Sequence, residues 1–120
     1  PLDLIESVAL GVDMFDCVMP TRNGRNGMAF TSRGKVNIKN QKHRHAQDPL
    51  DPNCPCYGCQ TFSLGYLRHL YIAGELSVLR IMSVHNLTYY LGLMKQIREA
   101  IEEGTFGDLL AHHQDLWATK

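Results

Sequence analysis

Three cysteines lie within six residues, in the sequence C-P-C-Y-G-C that runs from Cys54 to Cys59. Pro55 and Gly58 favour a tight turn there, and thiols spaced this closely do not readily pair with one another. A tetrahedral zinc ion needs three or four soft ligands gathered in this way, often with a histidine as the fourth. The alternatives are a redox pair, a disulfide with a spare thiol, or plain reduced cysteines. The pattern therefore predicts a zinc site at Cys54, Cys56 and Cys59.

Spacing alone does not decide which histidine completes this site. The chain contains six histidines, and two of them, His43 and His45, lie shortly before the cysteines in the sequence. Distance along the chain therefore favours His43 or His45. On chemistry alone the remaining histidines also stay possible, namely His69, His85, His112 and His113.

The size and composition of the chain are those of a globular protein. Its 120 residues suffice for one small domain or a piece of a larger one, and 44% of them are hydrophobic. No apolar run is long enough to cross a membrane, and no signal segment opens the chain. Grouped cysteines without such a signal predict a cytoplasmic protein. Because the chain begins with Pro1 and lacks an initiator Met, we expect it to be part of a longer protein.

The charges are segregated although the formal net charge is zero. Residues 21–45 contain no Asp or Glu and hold seven of the chain's 12 Lys and Arg residues. A basic block that is also rich in Asn and Gly suits contacts with phosphates. It favours nucleic-acid binding, and the alternative is a solvated loop region without a specific partner.

Hydrophobic periodicity predicts an α/β arrangement at the start and helices after residue 60. A helix over 1–10 followed by a buried strand over 12–19 is typical of a parallel sheet. Residues 20–27 read as a loop, and 28–31 with 35–38 read as a hairpin or two short strands. The remaining predicted helices run from a cap at Thr61 or Ser63 to about residue 73, over 75–84, over 85–103, and over 106–117.

Asp16 lies among apolar residues in the predicted strand, in the sequence M-F-D-C-V-M-P. A buried carboxylate is costly unless it is paired or used. Near the carboxyl end of a barrel strand it would face an active site, where an ionised carboxylate can attack the anomeric carbon of a sugar. The alternative is a structural carboxylate paired with Arg22 or Arg25. Strand alternation predicts that Cys17 is a buried packing residue on the opposite face.

Three motifs together carry a family resemblance. They are F-D-C-V-M-P-T-R-N-G-R-N-G from Phe15 to Gly27, then C-P-C-Y-G-C, then His85-Asn86. In this order they closely resemble the C-terminal part of bacterial tRNA-guanine transglycosylases. The resemblance implies the C-terminal part of a TIM (β/α)8 barrel with an inserted zinc-binding subdomain. We expect residues 1–40 to form the last barrel strands, 41–85 the zinc-binding subdomain, and 86–120 C-terminal helices that pack on both.

The resemblance also implies an activity and a set of site residues. The family exchanges guanine at the wobble position of a tRNA anticodon for 7-aminomethyl-7-deazaguanine, the precursor of queuosine. Asp16 matches its nucleophile, whereas its general acid/base lies outside this chain. The segment matching the anticodon-binding loop comprises Thr21, Arg22, Asn23, Gly24 and Arg25. The residues matching the ligands of a structural zinc ion are Cys54, Cys56, Cys59 and His85.

The helix after the cysteines is also relevant in the family, because there it takes part in a homodimer contact through aromatic residues. In this sequence, residues at spacings that share a helix face are Phe62, Tyr66, His69 and Leu70. They predict either that dimer contact or ordinary core packing. Since His85 reads as the start of the long helix, its ligation would tether that helix to the cysteines.

Three functions remain open at this stage. The chain is part of an enzyme and inactive by itself, a noncatalytic zinc and tRNA-binding module, or a silent partner subunit of a separate catalytic chain. The presence of Asp16 together with an intact T-R-N-G-R-N-G segment favours the enzyme.

Overall fold

The computed structural model describes residues 1–118, which group into two compact units. The knuckle unit comprises Val18–Tyr89, and the terminal unit comprises residues 1–17 together with 90–118. The elements in chain order are α1 (Leu2–Ala9), α2 (Met19–Arg25), β1 (Met28–Thr31), β2 (Gly34–Asn37), a 3-10 turn (Gln41–His43), α3 (Tyr57–Thr61), α4 (Leu64–Ile72), α5 (Ser77–Glu103) and α6 (Phe106–Ala118). The expectation of a mostly helical chain after residue 60 is confirmed. The division into barrel strands, zinc-binding subdomain and C-terminal helices stays a prediction.

The predicted hairpin forms within the knuckle unit. β1 and β2 pair antiparallel in a register that runs from Met28 opposite Asn37 to Thr31 opposite Gly34. Gly34 has a φ of 109°, which an L side chain rarely adopts, so glycine allows the chain to reverse here. The Thr31 hydroxyl also donates a hydrogen bond to the Gly34 carbonyl at 2.6 Å.

The predicted strand over 12–19 does not form within residues 1–118. Residues 12–18 have neither helical nor strand structure and are exposed, including Met14 with 87% of its surface accessible. A parallel strand gains its stability from hydrogen bonds to neighbouring strands, and within residues 1–118 no strand pairs with this segment. The expectation that Cys17 is buried is wrong for the same reason, since its thiol is exposed.

Residues predicted to be a loop form α2 instead. Pro20 occupies the first turn, where its missing N–H costs no hydrogen bond, and Gly27 follows the helix with a φ of 80°. The composition argued against a helix because Gly and Asn have poor helix propensity. Tertiary packing overrides that preference: Gly24 is buried, and a Cβ there would lie 3.0 Å from the amide nitrogen of Ser83 on α5.

The later helices follow the sequence pattern closely. Ser63 caps α4 by accepting a hydrogen bond from the Tyr66 amide at 3.1 Å, and Gly74 follows the helix with a φ of 78°. The two helices predicted over 75–84 and 85–103 are one helix of 27 residues. No Gly or Pro separates the two predicted helices. His85 therefore lies inside α5 and not at its start.

Each unit has its own interior. In the knuckle unit a core of apolar side chains surrounds the three cysteines and includes Ala29, Ile38, Leu50, Leu64, Leu67, Val78 and Met82. In the terminal unit α1 packs against α6, and the buried side chains include Ile5, Leu93, Ile97, Ala100 and Trp117. None of the described helices is both long enough and apolar enough to cross a membrane.

Candidate metal centre

Four buried side chains bring their ligand atoms together in the knuckle unit. The Sγ atoms of Cys54, Cys56 and Cys59 and a ring nitrogen of His85 all lie within 4.8 Å of one another. His85 Nδ1 lies 3.4 Å from Cys56 Sγ and 3.3 Å from Cys59 Sγ. Tetrahedral zinc with bonds of about 2.3 Å to sulfur and 2.0 Å to nitrogen places such ligands about 3.5 Å apart. This arrangement is that of a structural zinc site, which confirms the zinc prediction.

Short local structures position the cysteines. Cys56 precedes α3, and its Sγ accepts a hydrogen bond from the Cys59 amide at 3.4 Å, which curls the chain around the site. Gly58 is buried between them, and a Cβ there would lie only 2.5 Å from Cγ2 of Ile81 on α5. The sequence suggested a turn residue at Gly58. The structure adds that glycine lets α3 lie directly against the helix that carries His85.

His85 has the ring tautomer that a metal ligand needs. It is fully buried, and its Nε2 lies 2.9 Å from the carbonyl oxygen of Phe30, to which it donates a hydrogen bond. With one proton held on Nε2, loss of the second proton leaves the lone pair of Nδ1 directed at the cysteine sulfurs. A second ring nitrogen held by a backbone carbonyl is the usual way in which proteins orient a histidine ligand.

Hydrogen bonds within the metal-free cluster shift the pKa values of Cys56, Cys59 and His85. Hydrogen bonds with Cys54 and Cys59 lower the pKa of Cys56, whereas hydrogen bonds with Cys54 and Cys56 together with burial raise the pKa of Cys59. Burial lowers the pKa of His85, but hydrogen bonds with the thiols of Cys54 and Cys56 outweigh it and raise that pKa to about 10. Cys56 is therefore the thiolate of the metal-free site, and Cys59 and His85 carry protons that a zinc ion must displace.

The other histidines lie outside the cluster, so the preference of spacing for His43 or His45 is wrong. His45 is exposed, and His43 is partly exposed with a pKa lowered by burial and then by Lys42 and Arg68. His113 belongs to the terminal unit, where its Nδ1 accepts a hydrogen bond from Trp117 Nε1 at 3.2 Å. Sequence distance misled here because a helix that follows in the chain folds back over the cysteines.

Sequence reasoning missed two buried polar residues near the centre. Asp51 accepts hydrogen bonds from the Ser32 amide at 2.7 Å, the Ser32 hydroxyl at 2.8 Å and the Asn53 amide at 3.0 Å. It thereby joins the hairpin turn to the loop that precedes Cys54. The D-P-N sequence, which favours a side-chain-capped turn, was the available signal. Asn86, which had entered only as part of a motif, is fully buried.

The segment predicted to contact RNA lies on α2. Arg22 and Arg25 are exposed, and being three residues apart they lie on the same side of the helix. Thr21 donates a hydrogen bond from its hydroxyl to the Val18 carbonyl at 3.3 Å. Gly24 is buried against α5, which gives it a packing role in this structure. The approach of its backbone to RNA stays a prediction.

Asp16 lies in the terminal unit, in the exposed segment 12–18 that has no regular structure. Asp13 shares this segment and is exposed as well. The structure thus gives Asp16 an accessible carboxylate, in place of the buried strand position that the sequence predicted.

A helical domain with a buried Cys3His cluster defines a zinc-bearing protein of the structural type. The chain matches the family described as Queuine tRNA-ribosyltransferase over residues 1–119, and it belongs to that family. This confirms the family that the three motifs indicated.

Named relatives cover nearly the whole chain. A protein from Solidesulfovibrio magneticus named Queuine tRNA-ribosyltransferase is 54% identical over 117 residues, which are 98% of this chain and 31% of the relative. A protein of the same name from Syntrophobacter fumaroxidans is 57% identical over 106 residues, which are 88% of this chain and 28% of the relative. The chain therefore spans about three tenths of the length of the curated relatives that it matches.

Proposed function

We propose that this chain supplies the nucleophile and part of the tRNA-binding surface of a tRNA-guanine transglycosylase. The observation that carries the proposal is its membership of a family whose relatives are named queuine tRNA-ribosyltransferases. In the whole protein, the segment around Asp16 adds a strand to the C-terminal part of a (β/α)8 barrel. Its exposed apolar side chains support this placement, since they include Met14, Phe15 and Val18 and have little cover within residues 1–118.

The proposed reaction uses two displacements at one carbon. An oxygen of ionised Asp16 attacks C1′ of the wobble nucleotide, and the bond from C1′ to N9 of guanine breaks. The electron pair passes to guanine, which a general acid outside this chain protonates. The general acid/base outside this chain then takes the N9 proton of the 7-aminomethyl-7-deazaguanine base, whose N9 attacks C1′. The bond from C1′ to the Asp16 oxygen breaks, and its electron pair regenerates the carboxylate. Two inversions retain the configuration of the ribose, and an extruded nucleotide allows both attacks.

The anticodon segment of the tRNA is held in part by α2. Arg22 and Arg25 project from one side of this helix, and within the described residues neither forms an ion pair. Unpaired guanidinium groups are free to bind phosphates in two-pronged fashion. Thr21 and Asn23, which are partly exposed on the same short helix, add contacts to the sugar or base edges.

The zinc ion has a structural role in this proposal. Cys54, Cys56, Cys59 and His85 supply four protein ligands, so no coordination position is left for a water molecule. Activation of a nucleophile therefore falls to the carboxylate, and the metal holds together the unit that carries α2.

We also propose that an aromatic surface beside the zinc site pairs with a second copy of the protein. Tyr57, Phe62 and Tyr66 form a chain of ring contacts at centroid distances of 5.6 and 5.2 Å, and His69 stacks on Tyr66 at 6.3 Å. Tyr57 and Tyr66 remain 64% and 45% exposed. A groove of about 350 Å³ lies among the three rings of Tyr57, Phe62 and Tyr66 and the apolar side chains of Leu70, Ile81 and Val84. Exposed aromatic rings around a groove are typical of protein interfaces.

Exchange of labelled guanine into tRNA tests the enzymatic proposal. In the intact protein, Asp16→Asn should abolish exchange because an amide cannot act as the nucleophile. Asp13→Asn is the matched control, since Asp13 lies three residues earlier in the same exposed segment, and it should retain exchange. Loss of activity in both variants, or in neither, would contradict the role of Asp16.

The binding-module alternative makes a different prediction in the same samples. If the zinc-loaded wild type binds tRNA but exchanges no guanine, the chain belongs to a noncatalytic module or partner subunit. Arg22→Ala with Arg25→Ala should weaken that binding in either case.

The interface proposal is tested by the mass of the protein in solution. Tyr66→Ala should shift the intact protein towards monomer, because it removes the central ring of the aromatic surface. Ile72→Ala is the control, since Ile72 is 59% exposed on the same helix but does not line the groove. An unchanged mass for Tyr66→Ala would count against this surface.

A further inference from the structure

Asn86 holds both ends of the segment that carries the RNA-binding candidates. Its side chain is fully buried, and Nδ2 donates hydrogen bonds to the carbonyl of Pro20 at 3.0 Å and of Met28 at 2.9 Å. Pro20 lies in the first turn of α2, and Met28 is the first residue after the turn that ends it. One amide group therefore closes the chain around Arg22 and Arg25.

The other end of the amide is joined to the hairpin. Asn86 Oδ1 accepts a hydrogen bond from the Phe30 amide at 3.0 Å. The carbonyls of Pro20 and Met28 require a donor, and the N–H of Phe30 requires an acceptor. These partners therefore fix which end of the Asn86 amide is Nδ2 and which is Oδ1. A buried amide with each of these bonds made is costly to disturb, because its partners would be left unpaired.

The preceding residue connects the same place to the metal centre. His85 directs Nδ1 at the cysteine sulfurs and donates from Nε2 to the Phe30 carbonyl. Phe30 thus gives its N–H to Asn86 and its C=O to His85. His85 and Asn86 are neighbours on α5, and they form hydrogen bonds with the backbone carbonyl and the backbone amide of Phe30 on β1.

Helix α2 depends on such support. It has seven residues, no side-chain cap at its start, and a glycine and an asparagine inside it. A helix this short is not stable by itself in water. Besides Asn86, the contacts that hold it include its packing on β1 and the packing of Gly24 on Ser83, which lies three residues before Asn86 on α5. The Tyr71 hydroxyl also donates a hydrogen bond of 3.1 Å to the Arg25 carbonyl.

From this geometry we infer that Asn86 is a positioning residue that transmits order from the zinc centre to α2, so that metal occupancy controls how Arg22 and Arg25 meet RNA. The RNA part rests on the proposed function, whereas the link between the metal centre and α2 does not. Within the link, zinc fixes His85, His85 and Asn86 fix Phe30, and Asn86 fixes the ends of α2. No residue of α2 is itself a candidate ligand.

Hydrogen exchange in the intact, zinc-loaded protein tests the link directly. Asn86→Ala should retain zinc but speed amide exchange in α2 at least about tenfold, since the contacts at Pro20 and Met28 are lost. Gln60→Ala is the matched control. Gln60 also carries a side-chain amide near the metal, but it donates to the Cys54 carbonyl at 3.0 Å and does not bond to α2. In Gln60→Ala, amide exchange in α2 should equal that of the wild type. Amide exchange in α2 that is unchanged in Asn86→Ala would overturn the inference.

Binding to tRNA tests the consequence. Asn86→Ala should weaken affinity on the wild-type background and have no further effect once Arg22 and Arg25 are alanine, because both changes remove the same contacts. Equal losses on both backgrounds would indicate general destabilisation and overturn the inference. If Asn86→Ala does not fold, Asn86→Asp keeps the acceptor for Phe30 and loses the donors, and the same outcomes apply. A wild type that holds zinc but binds no tRNA refutes the proposed function, while the exchange data still decide the link.

Discussion

The interior of the knuckle unit and the interior of the terminal unit are stabilised by different interactions. In the terminal unit, α1 packs on α6 and buries large apolar side chains such as Ile5 and Trp117. In the knuckle unit, the buried set includes Asp51, His85 and Asn86 as well as the three cysteines. The terminal unit is assembled from apolar faces of helices, whereas the knuckle unit combines an apolar core with buried polar side chains that have defined partners around a metal site.

The difference follows from the length of the elements. Apart from the start of α5, the elements of the knuckle unit are no longer than the nine residues of α4. Such short pieces gain little from local propensity, so in addition to their apolar core they need directional bonds and a metal ion. A structure of this kind is expected to be cooperative, and the loss of one central contact should propagate.

Removal of zinc should produce the largest difference in amide protection between the two units. We expect a strong chelator to abolish amide protection in α3, α4 and the hairpin, because structural zinc contributes binding free energy of about 10–16 kcal/mol in small zinc domains. Protection in α6 should persist, since apolar packing holds that helix. Hydrogen exchange with and without re-added zinc measures both. Identical exchange in the apo and zinc-loaded protein would contradict the comparison.

Replacing one ligand should mimic chelation within the knuckle unit. Cys59→Ser should remove zinc from the purified protein, as measured by metal content, because a hydroxyl is a poor ligand for zinc. Cys17→Ser is the control, since Cys17 is the exposed cysteine of the terminal unit and is not part of the cluster. Zinc retained by Cys59→Ser, or lost from Cys17→Ser, would contradict the assignment.

Zinc affinity should rise steeply with pH. In the metal-free cluster the pKa of His85 is raised to about 10 and that of Cys59 is raised as well, so near pH 7 both groups carry protons that zinc displaces. Each released proton makes binding about tenfold tighter per pH unit, so these two groups alone give on the order of a hundredfold between pH 6.5 and 7.5. Competition with a chelating dye at the two pH values measures this. A slope below tenfold would show that the metal-free site is already deprotonated.

The smallest expected contrast is between two helical glycines. Gly24→Ala should destabilise the knuckle unit by about 1–3 kcal/mol, because its Cβ would press on the backbone of Met82 and Ser83 at 3.1 and 3.0 Å. Gly92→Ala, in the terminal part of α5 with nothing within 4 Å, should stabilise by about 0.5–1 kcal/mol through helix propensity. Thermal melting of both variants decides this. Shifts in the same direction would contradict the packing of α2 on α5.

Prediction from the sequence succeeded where an element depends on residues that are close together in the chain. It found α1, α4, α6 and the hairpin, because amphipathic spacing, the Ser63 cap and the glycines at positions 34 and 74 are local signals. It found the three cysteines because a metal knuckle is compact in sequence. It failed at α2, whose Gly and Asn content argued against the helix that packing on α5 stabilises.

The sequence by itself determined the family, the cysteine ligands, most of the helices, and the identity of the candidates Asp16, Arg22 and Arg25. The family resemblance, and not spacing, indicated His85 in place of His43, and the tertiary structure brings His85 to the cysteines. Only the tertiary structure decided that Gly24 packs against α5 and that Asn86 joins the metal centre to α2. The physical reason is range: caps, turns and knuckles depend on residues a few positions apart. The bonds of Asn86 to Pro20 and Phe30 cross more than fifty positions, and no local pattern encodes them.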